Sequence, residues 1–284
     1  MDIEALNNWK FEDNEQSYDV RDTMLYALGL GFGEDPMDEK ELAYVYEDGL
    51  MAAPSMAVIL GYPGFWVSDP KTGIDWKKVL HGEQWLDILK PLPVSGKVIG
   101  RTRIDKISDK GEGKGAVMYL TRDIIDAATG DTLAQVRMST FCRGDGGFGG
   151  ENLAGPKPAQ LPDRAPDHVC DLTTLPRQAL IYRLSGDYNP LHSDPNVART
   201  AGFDRPILHG LATYGLAGRA ILRTLCDYDA TQLTGLDVRF SAPVYPGETV
   251  RFEIWQDGKE ARFRATVPER NNILVLNNGA ARLA

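Results

Sequence analysis

Two stretches of the chain alternate apolar and polar residues in the manner of half-buried strands. The first, VSGKVIGRTRIDKISDKGEGKGAVMYLTRDIIDAATGDTLAQVRMSTFC, runs from Val94 to Cys142; the second, LDVRFSAPVYPGETVRFEIWQDGKEARFRATVPERNNILVLNNGAARLA, runs from Leu236 to Ala284. Short Gly-containing turns divide each into hairpins, Thr129-Gly130-Asp131 in the first and Asp257-Gly258 in the second, so both read as antiparallel meanders. Ahead of the second meander, LATYGLAGRAILRTL places Leu211, Tyr214, Ala217, Ile221 and Leu225 along one stripe, which predicts an amphipathic helix. Its small residues Gly215, Ala217, Gly218 and Ala220 suit close packing against a sheet. The nearest helical candidate in the first half is IDWKKVLHGEQWLDILKPLP, interrupted by Gly82 and closed by Pro91, so the first helix is expected to be short or broken.

Between Arg143 and Pro166 the chain is rich in Gly and Pro and sustains neither period, which predicts a linker crossing the surface. The expected division is an N-terminal domain at 1–150, a linker at 151–166 and a C-terminal domain at 167–284, each of the α+β class. A length of 284 residues suffices for two cores, and 43% hydrophobic with 25% charged residues is an ordinary globular balance.

A net charge of -9 works against broad binding to nucleic acid or anionic lipid. Cys142, Cys170 and Cys226 have long, unpatterned spacings that suggest neither disulfides nor zinc and fit a reducing compartment. The opening MDIEALNNWKFEDNEQ is acidic without an apolar core, unlike a signal peptide or a membrane span, and AARLA is not a peroxisomal signal of the SKL type. The expectation is a cytoplasmic protein.

The chemistry concentrates between Tyr182 and Ile221. Asp187 and His192 flank Asn189-Pro190, which disfavours a regular helix and predicts a turn that can aim both side chains at one point. A carboxylate and an imidazole converging on one water are suited to general acid–base work. The same residues also fit a turn capped by Asp187 and a histidine satisfied in the core, and spacing alone favours that simpler explanation. Gly210 directly precedes the predicted helix, where its N–H lacks an intrahelical acceptor and lies at the positive end of the dipole, a place for an oxyanion; relief of crowding at the helix start would equally call for glycine. Gly144, Gly146 and Gly149 fit GxGxxG after a strand, but Pro156 and Pro158 follow and no helix opens, which argues against a dinucleotide site. His192 and Asp194 with His81, His168 and His209 form no recognisable ligand spacing, so no metal is expected, and no GxSxG elbow is present.

SGDYNPLH followed by AGFDRPILHGL resembles the signature of the hydratase 2, or MaoC-like, enoyl-CoA hydratases. The similarity extends through YALGLG, VYEDG, VLHGEQWLDILKPLP, GDGGFGG and RFSAPVYPGETV, and includes the hydratase region of peroxisomal multifunctional enzymes of type 2. This resemblance implies a double hot-dog fold with the first helix shortened to make room for the acyl chain, so that the N-terminal domain is the acyl-chain side and the C-terminal domain the catalytic one. It implies (R)-specific hydration of trans-2-enoyl-CoA without a cofactor, with Asp187 and His192 as the catalytic pair, Asn189 in the same motif and Gly210 as oxyanion donor. Substrate contacts carried over by motif fall on His81, Gly82, Lys110 and Phe240, and supporting positions on Tyr26, Glu47, Asp167, Tyr182, Asp194 and His209. An acyl-CoA substrate and a homodimer are expected, without an attached dehydrogenase domain. The alternatives are an acyl-CoA thioesterase, since related folds host both reactions, and a non-catalytic acyl-CoA-binding protein.

Overall fold

The computed structural model describes residues 1–284. Its first half contains α1 (Ile3–Asn7), β1 (Asn14–Tyr18), α2 (Val20–Gly29), α3 (Glu39–Leu42), β2 (Val79–Ile88), β3 (Gly96–Asp109), β4 (Ala116–Asp126) and β5 (Thr132–Cys142). The second half contains β6 (His168–Thr173), α4 (Gln178–Tyr182), α5 (Pro195–Thr200), α6 (Gly210–Leu225), β7 (Leu233–Phe240), β8 (Thr249–Asp257), β9 (Glu260–Val267) and β10 (Ile273–Leu283). Both meanders form with their hairpin turns where the Gly dipeptides lie. No helix is long and apolar enough to cross a membrane.

The two meanders join as one antiparallel sheet in the order β1-β3-β4-β5-β2-β7-β10-β9-β8-β6. The junction is β2 against β7, in register from Glu83 opposite Arg239 to Asp87 opposite Gly235. Arg282 clamps it: Nη1 donates to Asp237 (2.6 Å), while Nη2 donates to Asp87 (2.9 Å) and to the Leu86 carbonyl (2.8 Å). Gly235 makes room for that guanidinium, which would lie 2.3 Å from any Cβ placed there.

The helical candidate around Trp76–Ile88 is overturned. Trp76–Lys78 is a single 3-10 turn that leads directly into β2. Pairing to β5 on one side and β7 on the other satisfies the β2 backbone, and this tertiary ladder outweighs local helix preference. Gly82 marks a bulge between His81 and Glu83, where a Cβ would come 2.8 Å from the Ser139 hydroxyl. The shortened helix of the first half is instead the 3-10 segment Pro54–Ile59, with Pro54 to Val58 fully packed.

The helix α6 is also more enclosed than its stripe suggested, since every residue from Ala212 to Leu222 is buried. The sheet covers one side and residues of the first half cover the other. A Cβ at Gly215 would meet Leu30 at 2.4 Å, and one at Gly218 would meet Ser55 and Leu236 at 3.4 and 3.6 Å, so these glycines admit both neighbours. Arg219, polar yet 2% exposed, points into the first half. Its Nε donates to Glu41 Oε1 (2.9 Å), which also accepts from the Tyr228 hydroxyl (3.1 Å), and its Nη1 donates to the Leu30 carbonyl (3.4 Å).

Between β5 and β6 the chain carries no helix or strand and crosses the outer face of the sheet. From β3, Lys106 donates to the Ala154 carbonyl (2.6 Å), and from β10, Asn278 donates to the Ala159 carbonyl (2.7 Å). The glycine-rich stretch before it wraps an internal anion: the N–H groups of Gly111 and Gly147 donate to one oxygen of Asp109 (2.8 Å each), and those of Gly149 and Gly150 to the other (3.0 and 3.2 Å). These bonds, Gly147 foremost, hold the Asp109 carboxyl below its ordinary pKa.

Replacing one member of a buried ion pair strands the other. Arg219→Leu is therefore expected to lower unfolding free energy by about 3–5 kcal/mol, read by denaturant unfolding, whereas a loss below about 1 kcal/mol would show that the pair adds nothing net.

Candidate active site

The candidate residues meet where the chain turns after α4. The 3-10 turn Arg183–Ser185 ends at Gly186, whose φ of 114° is a left-handed conformation that side chains other than glycine's resist. Asp187 follows on the exposed side. Its Oδ1 accepts from the Asn189 N–H (3.1 Å), and Asn189 Oδ1 accepts from the Leu191 N–H (3.0 Å), so two consecutive Asx turns shape the loop. Asn189 then caps the 3-10 turn Pro190–His192, which delivers the His192 ring inward at 8% exposure.

Backbone carbonyls set the tautomers of two imidazoles. His192 Nδ1 lies 2.9 Å from the Ile207 carbonyl, and His209 Nε2 lies 3.1 Å from the Asp187 carbonyl. A carbonyl can only accept, so each of those nitrogens carries the proton in the neutral ring, leaving His192 Nε2 and His209 Nδ1 as bare acceptors. The rings stack with centroids 3.8 Å apart and planes at 29°. One donor atom from each of Asp187, His192 and His209 lies within 4.8 Å of the others. That separation is spanned by one water at hydrogen-bond lengths of about 2.8 Å.

Burial, foremost, lowers the His192 pKa below the ordinary 6.5, opposed by its bond to Ile207 and by the Asp187 charge. For His209, burial and then the neighbouring His192 bring the value down to about 4. Both rings are neutral at pH 7.

Gly210 opens α6, and His209 is its cap residue. A Cβ at Gly210 would meet nothing closer than the Phe240 ring at 3.6 Å, which is ordinary contact. Crowding therefore does not demand glycine here, and the exposed N–H at the helix start remains the distinctive feature. Phe240 links the two halves, since its ring lies 4.7 Å from that of His81 on β2. His81 Nε2 is buried without a partner, and burial lowers this ring to about 4. Gly82 adjoins it in the β2 bulge. His81, Gly82 and Phe240 thus gather with Gly210. Lys110 stands elsewhere: its Nζ donates to Asn152 (2.7 Å) and to the Leu153 carbonyl (3.4 Å), on the glycine-rich loop and linker.

The supporting positions divide similarly. Tyr26 donates to Ser55 (3.1 Å) and packs on Tyr182, whose ring lies 5.0 Å from His209, so a column of aromatic rings backs the histidine stack. Asp194 caps α5, and Asp167 accepts from the Gln256 N–H (2.8 Å). Glu47 is exposed in the turn after α3. Sequence reasoning placed His209 only as a supporting position and did not anticipate Ile207, because a backbone carbonyl that orients a ring leaves no mark in residue identity.

Titrating the full chain by histidine NMR is expected to show His192 neutral and Nδ1-protonated at pH 7, with its midpoint below 6.5 and that of His209 near 4. An Nε2-protonated His192, or midpoints at or above 6.5, would contradict the assigned tautomer and burial.

Residues 157–278 match the MaoC like domain, and residues 16–144 match the MFE-2 hydratase 2 N-terminal domain. The chain is 41% identical over 284 residues to enoyl-CoA hydratase ChsH3 of Mycobacterium tuberculosis, covering 98% of this chain and 97% of that protein. It is 37% identical to the peroxisomal enoyl-CoA hydratase 2 of Arabidopsis thaliana, covering 94% and 91% of the two. A MaoC-like dehydratase structure from Phytophthora capsici superposes with a TM-score of 0.86 at 32% identity, covering 100% of this chain and 99% of the other. With both family domains in sequence and near-complete coverage of such relatives, the chain belongs to the MaoC-like hydratase 2 family, as a double hot-dog protein.

Proposed function

We propose that this chain is an (R)-specific enoyl-CoA hydratase, adding water reversibly across the double bond of a trans-2-enoyl-CoA to give a (3R)-3-hydroxyacyl-CoA. The observation that carries the reading is the cluster of the Asp187 carboxylate and the neutral, tautomer-fixed His192 beside the open Gly210 N–H. An acid–base pair within reach of one water, next to a donor for a developing oxyanion, is the equipment that hydration of a conjugated thioester needs.

A water held between Asp187 and His192 Nε2 gives a proton to this dyad as its oxygen bonds C3. The dyad returns a proton to C2 on the same face, so the addition is syn. Negative charge reaches the thioester oxygen during C3 attack, and the Gly210 N–H at the positive end of α6 stabilises it more strongly than it stabilises the ground-state carbonyl. Asn189 shapes the turn that aims the pair. His81 and Gly82 line the approach from the first half and Phe240 from the second, and Lys110 offers a cation to the CoA phosphates if it leaves its linker contacts.

No cofactor or metal enters the scheme. The acidic net charge supports neither nucleic acid nor an anionic membrane as partner. A homodimer is supported by the exposed Leu28 on α2 together with Leu180 and Leu184 on the adjoining α4 and 3-10 turn, an apolar group suited to burial against a second copy. A cytoplasmic location remains the reading of composition and cysteine use, while a relative is named peroxisomal, so cell fractionation decides it.

Asp187→Asn is expected to lower hydration of crotonyl-CoA by about 10²–10⁴-fold with unchanged thermal stability, followed as loss of enoyl absorbance. Gly210→Pro, which removes this N–H at the first position of α6, where a helix tolerates proline, is expected to lower it by about 10²–10³-fold. Because His192 must be neutral, kcat/KM should stay level through pH 7 and fall on acidification, with its acid limb below 6.5. A (3S) product, or release of free CoA thiol in place of hydration, would refute the reading.

A further inference from the structure

The inner face of the first half, which under the reading above receives the acyl chain, holds a cation where an aliphatic chain would call for apolar lining. Arg122 on β4 is 5% exposed, and no carboxylate pairs with it. Its one hydrogen bond runs from Nη2 to the Val58 carbonyl (2.6 Å) at the end of the shortened helix, and its Nε is buried without a partner. The cross-strand neighbour Thr102 on β3 shares that face, and its hydroxyl is likewise buried and unpartnered. The remaining neighbours along the row, Val136 on β5 and Leu86 on β2, are apolar.

The position of this pair relative to the reacting atoms is marked by two side chains. Tyr62, 44% exposed, lies with its ring centroid 5.4 Å from the guanidinium and is close enough to Asp187 to feel its charge. On the other flank the Arg122 charge reaches His81, which packs against Phe240 beside Gly210. Burial lowers Arg122 only to about 10, so the cation persists at neutral pH. An unpaired buried guanidinium is costly, and one bond to a carbonyl does not account for keeping it. A planar fork with free N–H groups next to an idle hydroxyl matches a carboxylate.

We propose that Arg122 and Thr102 form a polar end to the acyl site and select trans-2-enoyl-CoA substrates whose acyl chain terminates in a carboxylate. Tyr62 covers the guanidinium, and the chain passes from the Asp187–His192 water site beneath this ring to the anion-binding pair. The inference rests on the hydratase reading, and it assigns that reaction a substrate class.

The test compares paired trans-2-enoyl-CoAs, ω-methyl and ω-carboxyl, over a series of chain lengths, using the full-length wild type, Arg122→Met, Arg122→Lys and Thr102→Val. At the fitting length, wild type should favour the carboxylate by about 10–100-fold in kcat/KM, the worth of a charge-assisted hydrogen bond, with most of the effect in KM. Arg122→Met should abolish that preference, Arg122→Lys should keep part of it, and Thr102→Val should reduce it while preserving shape. Equal or better use of the methyl substrate by wild type at every length would overturn the proposal, as would a folded Arg122→Met with its preference intact. Should Arg122→Met fail to fold, the wild-type comparison and Thr102→Val decide alone. Absence of hydration with every substrate, crotonyl-CoA included, would instead refute the hydratase reading itself.

Discussion

The pairing of β2 with β7 is the constraint on which the rest of this structure depends. Five residues of each strand convert two meanders into one sheet, and the Arg282 guanidinium ties β10 to both. Because β2 lies beside β7, the His81 ring reaches Phe240, and Phe240 lies over Gly210 at the start of α6. The site is therefore a product of the junction: the turn carrying Asp187 and His192, with Gly210 and Phe240, belongs to the second half, and His81 and Gly82 come from the first.

Much of the second half was legible because its periods are clean. The helix at Gly210–Leu225 and the strands β7 to β10 follow from alternation, Gly turns and a stripe. The first half misled at β2, where Trp85, Leu86 and Ile88 satisfy a helical stripe as well as a strand, and only partners on both edges decide between them. The Pro54–Ile59 segment escaped notice because five consecutive buried residues without a period have no signature of their own. Likewise Arg219 made α6 look two-faced, when its polar side is buried against Glu41.

At the site, spacing alone favoured a capping Asp187 and a core histidine, and the geometry shows why this was reasonable. Asp187 does cap its turn through Asn189, and His192 is buried with one nitrogen satisfied by a carbonyl. One oxygen of Asp187 and one nitrogen of His192 fix the loop, and under the proposed function the other oxygen and nitrogen are those left for chemistry. Residue identity cannot reveal that division, since it is made by Gly186, Ile207 and the stacked His209, none of which carries a motif for orienting a ring.

The glycine-rich loop around Asp109 has a wider consequence. Four backbone N–H groups converge there as they would around a phosphate, yet the anion they hold is covalently part of the chain. Such a ligand cannot dissociate on dilution, and its effective concentration is set by the tether. The loop is thus permanently in its bound state: Gly147, Gly149 and Gly150 serve as a latch that holds the exit of β5 to Asp109 at the β3–β4 turn before the chain sets out across the sheet, and of the glycines in the GxGxxG spacing only Gly149 takes part.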